Sequence, residues 1–247
     1  MRIDRLPVST PTTAPTGTTN AYVADDVLVD PAARSDALDS AAADASHVAV
    51  THTHPDHVGA LAAYAGSRTV WALSGHEDRL REATGVEPDR RFSEGDSIAG
   101  LTVLETPGHA PDHVAFAAGD AVLCGDLAMA ESSVFVGGEG ADMGAYLDSL
   151  RRLRERDPDL LFPGHGEPIE TPAERLDWLI DHRLGRERRV LRAVEAGDRT
   201  VEGIRDAAYE KDLSGVEALA SATVRAHLEK LAEEGRIGWD GERARPV

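Results

Sequence analysis

An α+β architecture, with two sheets packed face to face, helices on the outside and a small C-terminal unit appended, is what the order of apolar segments in this chain predicts. Helical and strand-like patterns alternate from Val27 to Cys124, which suits a layered domain of sheets and helices. Beyond Pro172 the pattern changes to long helical stretches ending in a two-strand turn, which suits a separate module. At 247 residues the chain holds one large domain and a small one, with ample material for a buried core.

Residues 1–20 are rich in Thr and Pro. Asn20-Ala21-Tyr22-Val23-Ala24 and Val27-Leu28-Val29-Asp30 then flank Asp25-Asp26, the pattern of a β-hairpin. Arg34–Ala45 reads as helix, His47–Thr51 as strand, Pro55–Tyr64 as helix with proline in its first turn, Thr69–Leu73 as strand and Gly75–Ala83 as helix. Short strands follow around Ile98–Glu105, Val114–Ala118 and Ala121–Cys124.

After Pro172 a long helix leads out of this domain. Thr200 caps a helix through Tyr209, and a second helix at Ala218–Glu234 carries Leu219, Val224, Leu228 and Leu231 on a largely common face before Gly235. Arg236 to Arg245 reads as two short strands turning at Asp240-Gly241. Helix, helix, hairpin is the order of a winged helix, so the expected domains are residues 1–185 and 186–247. Residues 186–247 hold 12 basic and 13 acidic side chains, a net of −1 out of −18, so residues 1–185 carry −17. Near neutrality leaves the small unit compatible with phosphate contact, and equally with packing or dimerisation.

Hydrophobic content is 41%, no run approaches the ~18 apolar residues of a membrane span, and residues 1–30 lack a basic, apolar, cleavable start. A soluble, cytoplasmic protein is expected. The single Cys124 forms no internal disulfide, and its apolar run Ala121-Val122-Leu123 marks it as a small core filler.

Chemistry concentrates in Thr51-His52-Thr53-His54-Pro55-Asp56-His57, which places four metal-binding side chains within six residues after the apolar run Val48-Ala49-Val50. A strand end aims His52 and His54 at one ion, and Asp56 and His57 on the following helical turn face a second. Three later candidates follow glycine, which lets backbone turn sharply at strand ends: His109, Asp126 and His165. Any one of these seven alone would be an ordinary loop histidine or capping aspartate; the ordered set points to metal. Imidazoles and carboxylates suit Zn2+, and also Mn2+ or Fe2+. Two ions ~3.5–4 Å apart lower the pKa of shared water toward ~7, so hydrolysis is the expected output.

The H-x-H-x-D-H motif at 52–57, with Thr106-Pro107-Gly108-His109, Cys124-Gly125-Asp126 and Pro163-Gly164-His165-Gly166 after it in order, resembles the metallo-β-lactamase superfamily. The resemblance implies an αββα sandwich in which His52, His54 and His109 hold one metal, Asp56, His57 and His165 hold the other, and Asp126 bridges them. It leaves His113 outside the ligand set in a supporting role, while His47 and His76 read as ordinary polar residues. Asp30 occupies the place of an aspartate that orients a ligand imidazole in that superfamily, usually in D-T-G; here the sequence is Asp30-Pro31-Ala32, and a strand-ending turn residue is the other reading. Glu131–Met143, with Ser132-Ser133 and Gly137-Gly138-Glu139-Gly140, reads as a loop over the site and not a phosphate cradle, since no Walker Lys-Ser/Thr follows.

Over its full length the chain resembles the β-lactamase-like protein 2 group, which joins such a hydrolase domain to a C-terminal winged helix. His182-Arg183-Leu184-Gly185-Arg186-Glu187 and Ala226-His227-Leu228-Glu229-Lys230-Leu231 carry that likeness. Members are described as endoribonucleases on single-stranded RNA. The resemblance therefore implies a phosphodiesterase in which a metal-bridging hydroxide attacks and a metal-bound water or Asp56 returns the proton. His182 and Arg186, one helical turn apart, face substrate phosphate or simply solvent. A glyoxalase II-like thioester hydrolase is the alternative, and a winged-helix regulator with a non-catalytic metal fold is a third reading.

The charge balance adds a solution expectation. Only Lys211 and Lys230 are lysines among 26 basic residues, against 44 acidic ones. An acidic, lysine-poor surface resembles that of proteins from cells holding molar salt, where the Debye length is ~3 Å and self-repulsion is screened. The melting temperature is expected to climb steeply between low and molar KCl; a flat profile contradicts this.

Overall fold

The structure, a computed structural model, describes residues 1–12 and 14–247. Strands β1 (Ile3–Ser9), β2 (Thr18–Ala24) and β3 (Val27–Val29) form an antiparallel meander, with Asp25 at φ 45 in the tight turn between the last two. Strands β4 (His47–Ala49), β5 (Thr69–Leu73) and β6 (Arg90–Phe92) add in parallel, completing a six-stranded sheet in sequential order. Parallel neighbours need crossovers, and the short helices α1 (Asp36–Ala41), α2 (Pro55–Val58), α3 (Leu61–Ala65) and α4 (Glu77–Thr84) lie in them. The second sheet is built from β7 (Ser97–Ile98), β8 (Leu101–Glu105), β9 (Val114–Ala118) and β10 (Ala121–Gly125). Helix α5 (Met143–Arg156) then returns the chain to lay β11 (Leu160–Pro163) parallel to β10, giving the order β11-β10-β9-β8-β7.

Alternation along each strand sorts the core into layers. Val27 and Val29 point between the sheets toward Phe116 and Leu123, while Leu28 points outward onto Leu38 and Leu61. On the far side Val122 and Leu161 meet Tyr146, Leu150 and Leu176. Strands covered on both faces read as unbroken apolar runs, which is why Val48-Ala49-Val50 shows no polar alternation. The layers run helix, sheet, sheet, helix.

Helix α6 (Pro172–Ala196) is 25 residues long, about 37 Å, and crosses from one unit to the next without a break. Its Leu176 and Leu179 belong to the core beside α5, whereas Val190, Ala193 and Val194 pack with Ile204, Leu228, Leu231 and Ile237. These last come from α7 (Val201–Ala208), α8 (Glu217–Glu233) and the hairpin β12 (Ile237–Trp239) with β13 (Ala244–Pro246). The boundary expected between residues 185 and 186 thus falls inside one helix. No helix among the described residues is long and apolar enough to cross a membrane.

Four departures from the sequence reading have physical causes. Strand β1 went unanticipated because its Thr/Pro surroundings and Pro7 argue against a strand, yet an edge position tolerates the missing N–H. Strand β11 and helix α5 were also unanticipated, although Asp142 caps α5 by accepting from the Ala145 N–H. The helix expected over Pro55–Tyr64 is two pieces, because Gly59 lies against the Ala32 carbonyl and the Ala60 N–H donates to Pro31 O at 2.9 Å. Leu219, expected on the buried face of α8, is 37% exposed: five residues before Val224, it sits about 140° around the helix from it.

Candidate metal centre

Strands β4, β8, β10 and β11 each end at one edge of the sandwich, and the seven sequence-predicted side chains all follow those ends. The Val114 N–H donates to Thr51 O at 2.7 Å, which ties the His52 loop to the second sheet. His52 Nε2 lies 3.0 Å from His54 Nδ1, and His109 Nε2 lies 2.9 Å from that same nitrogen. Three ring nitrogens so close have no room for three protons, so their lone pairs converge as they would on a cation. A second group forms beside them: His165 Nε2 is 3.6 Å from Asp56 Oδ2 and 3.5 Å from Asp126 Oδ1, and His57 Nε2 is 3.5 Å from the same Asp126 oxygen. The other oxygen of Asp126 faces His109 Nε2 at 3.5 Å. Asp126 therefore touches both groups, and each triad has its ligand atoms within 4.8 Å of one another.

His57 Nε2 and Asp126 Oδ1 are buried without a hydrogen-bond partner, a costly state for polar atoms unless something else fills their coordination. Divalent metal ions would satisfy such a donor set, and the structure arranges the rings for it. His57 Nδ1–H donates to Asp30 Oδ2 at 2.9 Å, His165 Nδ1–H to Thr18 O at 2.9 Å, and His109 Nδ1–H to Phe135 O at 2.8 Å. Each bond fixes the tautomer that leaves Nε2 free. His52 Nδ1 meets Thr51 Oγ1 at 3.1 Å, and that hydroxyl donates to Asp30 Oδ2 at 2.8 Å. Asp30 thus orients two ligand rings, with its other oxygen accepting from the Thr51 N–H at 2.6 Å.

The electrostatics follow from this crowding. Burial, reinforced by neighbouring imidazoles, holds His52 well below its usual pKa and brings His54 down to about 4. His57 and His165 also lose water, but the Asp126 carboxylate outweighs that loss and raises both, with Asp30 adding to His57. Burial likewise opposes ionisation of Asp126, yet His57 beside it keeps its carboxyl well below the normal range. Protons and metal ions compete for the same atoms.

Other candidates resolve differently. His113 has no nitrogen to spare: Nδ1 meets Thr106 Oγ1 at 2.8 Å and Nε2 accepts from the Asp126 N–H at 3.0 Å, so it positions Asp126. Cys124 is buried in the core beside α5, burial pushes its thiol up to about 12, and it joins no ligand group among the described residues. His182 joins neither triad, and Arg186 donates to Ala208 O at 2.5 Å. The Glu131–Met143 segment is irregular as expected, and supplies the Phe135 carbonyl. Gly164 is required: a Cβ there would fall 2.5 Å from Asp126 Oδ1 and 2.7 Å from His57 Cε1. Thr51, Thr106 and the carbonyls of Thr18 and Phe135 were missed from sequence; only Thr51, next to His52, carries any signal there.

Asp30→Asn keeps the shape but weakens acceptance from His57 and Thr51. Metal affinity is expected to fall about 10- to 100-fold in chelator competition, and an unchanged affinity contradicts the orienting role.

The metallo-beta-lactamase superfamily profile matches residues 14–165. The Drosophila melanogaster beta-lactamase-like protein 2 homolog is 28% identical, over 82% of this chain and 73% of its own. Among solved structures, a metallo-beta-lactamase family protein from Thermus thermophilus superposes with a TM-score of 0.78 at 25% identity, covering 99% of this chain and 98% of that one. A protein solved in a di-iron-bound form reaches a TM-score of 0.57 at 30% identity, over 68% of this chain and 96% of its own. With the layered sandwich and the strand-end cluster, these matches establish that the chain belongs to the metallo-β-lactamase superfamily of metallo-hydrolases.

Proposed function

We propose that this metallo-hydrolase is a dinuclear phosphodiesterase that cleaves single-stranded RNA. The carrying observation is the pair of three-ligand clusters joined through Asp126, whose buried, unpartnered oxygen faces the second group. His52, His54 and His109 would hold one ion, Asp56, His57 and His165 the other, and Asp126 both. Divalent cations there supply Lewis-acid polarisation of a phosphoryl oxygen and water of lowered pKa. Zinc fits the donor set, as do manganese and iron, and the related di-iron protein supports the iron option.

Within this reading Asp56 has a second task. Its side chain is 19% exposed, more open than Asp126, His57, His109 or His165, so it can take a proton from attacking water and deliver it to the departing oxygen. The likeness to the beta-lactamase-like protein 2 homolog supports the RNA assignment, with α7, α8 and the β12–β13 hairpin taken as a winged helix. The acidic surface then belongs to a cytoplasm of high salt, where a charge of −18 repels a polyanion less.

One observation favours a second reading. A cavity of about 210 Å³ opens against His165, lined by Pro15, Thr16, Met129 and Ala130, with Glu131 and Glu167 at its side. An apolar pocket with carboxylates suits the acyl group of a thioester better than a phosphate, and the same cations would polarise a carbonyl.

A side-by-side assay in molar KCl of zinc- or manganese-loaded protein on labelled single-stranded RNA and on S-lactoyl thioesters decides between them. RNA cleavage is expected, with kcat reduced at least about 100-fold in Asp56→Ala. Thioester turnover without RNA cleavage overturns the RNA reading in favour of the second.

A further inference from the structure

Away from the chain ends, three large apolar side chains are exposed among the described residues: Trp178 at 46%, Val216 at 44% and Leu219 at 37%. All three line one groove of about 390 Å³, between the Ser132–Phe135 segment, α6 and the stretch from Tyr209 to Thr223. Water-facing apolar surface concentrated in a single concavity marks a binding site more than scattered exposure does.

Charge in the same groove is the reverse of the rest of the molecule. Arg183, Arg186 and Lys211 line it, and Arg189 shares the Ala208 carbonyl with Arg186. In a chain with 44 acidic residues, none of these four cations has a carboxylate within ion-pair distance among the described residues; Glu210 acts on Arg186 from farther away. Burial, and then those four positive charges, push the His182 imidazole down to about 4. Arg183 and Arg186 are buried and brace the walls through Val134 O and Ala208 O, and Arg186 lies 3.4 Å from the Tyr209 ring. Lys211, one of only two lysines, is exposed and makes no hydrogen bond or ion pair among the described residues.

The groove also has a direction. Trp178 stacks on His182 at 4.9 Å one turn along α6, and from Trp178 to Arg189 the helix advances about 16 Å, a length that suits repeating units better than a single ring. At its other wall Phe135 lines the groove while its carbonyl accepts from His109 of the metal cluster. The Trp178 ring also has the Arg175 guanidinium 4.3 Å from its centre, yet it stays 46% exposed, and exposed apolar surface beside an unpaired lysine, next to a hydrolytic centre, suits a single strand with free bases and a phosphate chain.

We propose that this groove is the recognition track of the enzyme for single-stranded RNA, with an unpaired base packed against Trp178, Val216 and Leu219 and the adjoining phosphate on Lys211. It rests on the RNA reading of the metal site and gives that reading its substrate contacts. It also keeps the strand off the acidic surface, because the strand approaches through a groove whose charged lining residues are cations.

The test uses the metal-loaded, full-length protein with Trp178→Ala and Lys211→Glu, both at exposed positions that the fold does not depend on. Steady-state kinetics on labelled single-stranded RNA are compared with turnover of bis(p-nitrophenyl) phosphate, a diester with no nucleotide chain to lie along the groove. KM for RNA is expected to rise about tenfold or more in each variant while small-diester turnover stays at the wild-type rate. Unchanged KM, with RNA still cleaved, overturns the track and leaves the nuclease reading intact. If the wild type cleaves no RNA, the nuclease reading fails by itself, and fluorescence titration decides the groove: tryptophan quenching by oligo(rA) that is lost in both Trp178→Ala and Lys211→Glu supports it. Quenching by coenzyme A alone, or by neither, overturns it.

Discussion

A single buried carboxylate organises the metal edge. Asp30, 1% exposed, accepts from the Thr51 N–H, the Thr51 hydroxyl and the His57 ring, and through that hydroxyl it also sets His52. It does so from a left-handed backbone, φ 52, which costs a non-glycine residue on the order of 1–3 kcal/mol. Hydrogen bonds to a charged acceptor contribute about 1.5–3 kcal/mol each, so three of them offset the strain. Both triads inherit their orientation from this point, one through His52 and one through His57.

The same edge joins the two sheets to the C-terminal unit. His165 is held by Thr18 O from the first sheet's β2, and His109 by Phe135 O from a segment that Arg183 and Arg175 of α6 clamp through Val134, Met129 and Ser132 carbonyls. At the other end of α6, Glu187 is buried and takes Lys230 of α8 at 2.8 Å and Arg236 at 3.2 Å. A buried carboxylate facing two cations is costly to break, because removing either partner leaves charge without water. One continuous helix thus links the segment that holds His109 to the packing of the appended unit.

How much of this was legible in the sequence follows from what each role demands. Imidazoles and carboxylates are side chains suited to divalent metals, and strand ends bring them together here, so His52, His54, Asp56, His57, His109, Asp126 and His165 stand out by type and order. Asp30 was half legible: its position fitted an orienting carboxylate, but Asp30-Pro31-Ala32 hid the motif, and only its three donors define the role. The carbonyls of Thr18 and Phe135 leave no trace, since every residue has one. His113 already stood outside the ligand set, but its task, accepting from the Asp126 N–H, is visible only in the structure. The groove was invisible for a related reason: its walls come from residues 132–135, 178–186 and 209–223, and the face each presents is decided by docking, as the outward rotation of Leu219 illustrates. The layered core was readable from apolar runs, whereas β1 was masked by the composition that makes it a good edge.

The proposed dinuclear centre puts Asp126 between two cation sites that share one edge of the sandwich. Anomalous X-ray scattering from crystals grown with Zn2+ or Mn2+ tests it most directly. The account predicts a pair of peaks about 3.5–4 Å apart, one against His52, His54 and His109, the other against Asp56, His57 and His165, with an Asp126 oxygen toward each. A lone peak at the three-histidine group under saturating metal, or a pair with Asp126 turned away from one of them, would contradict it.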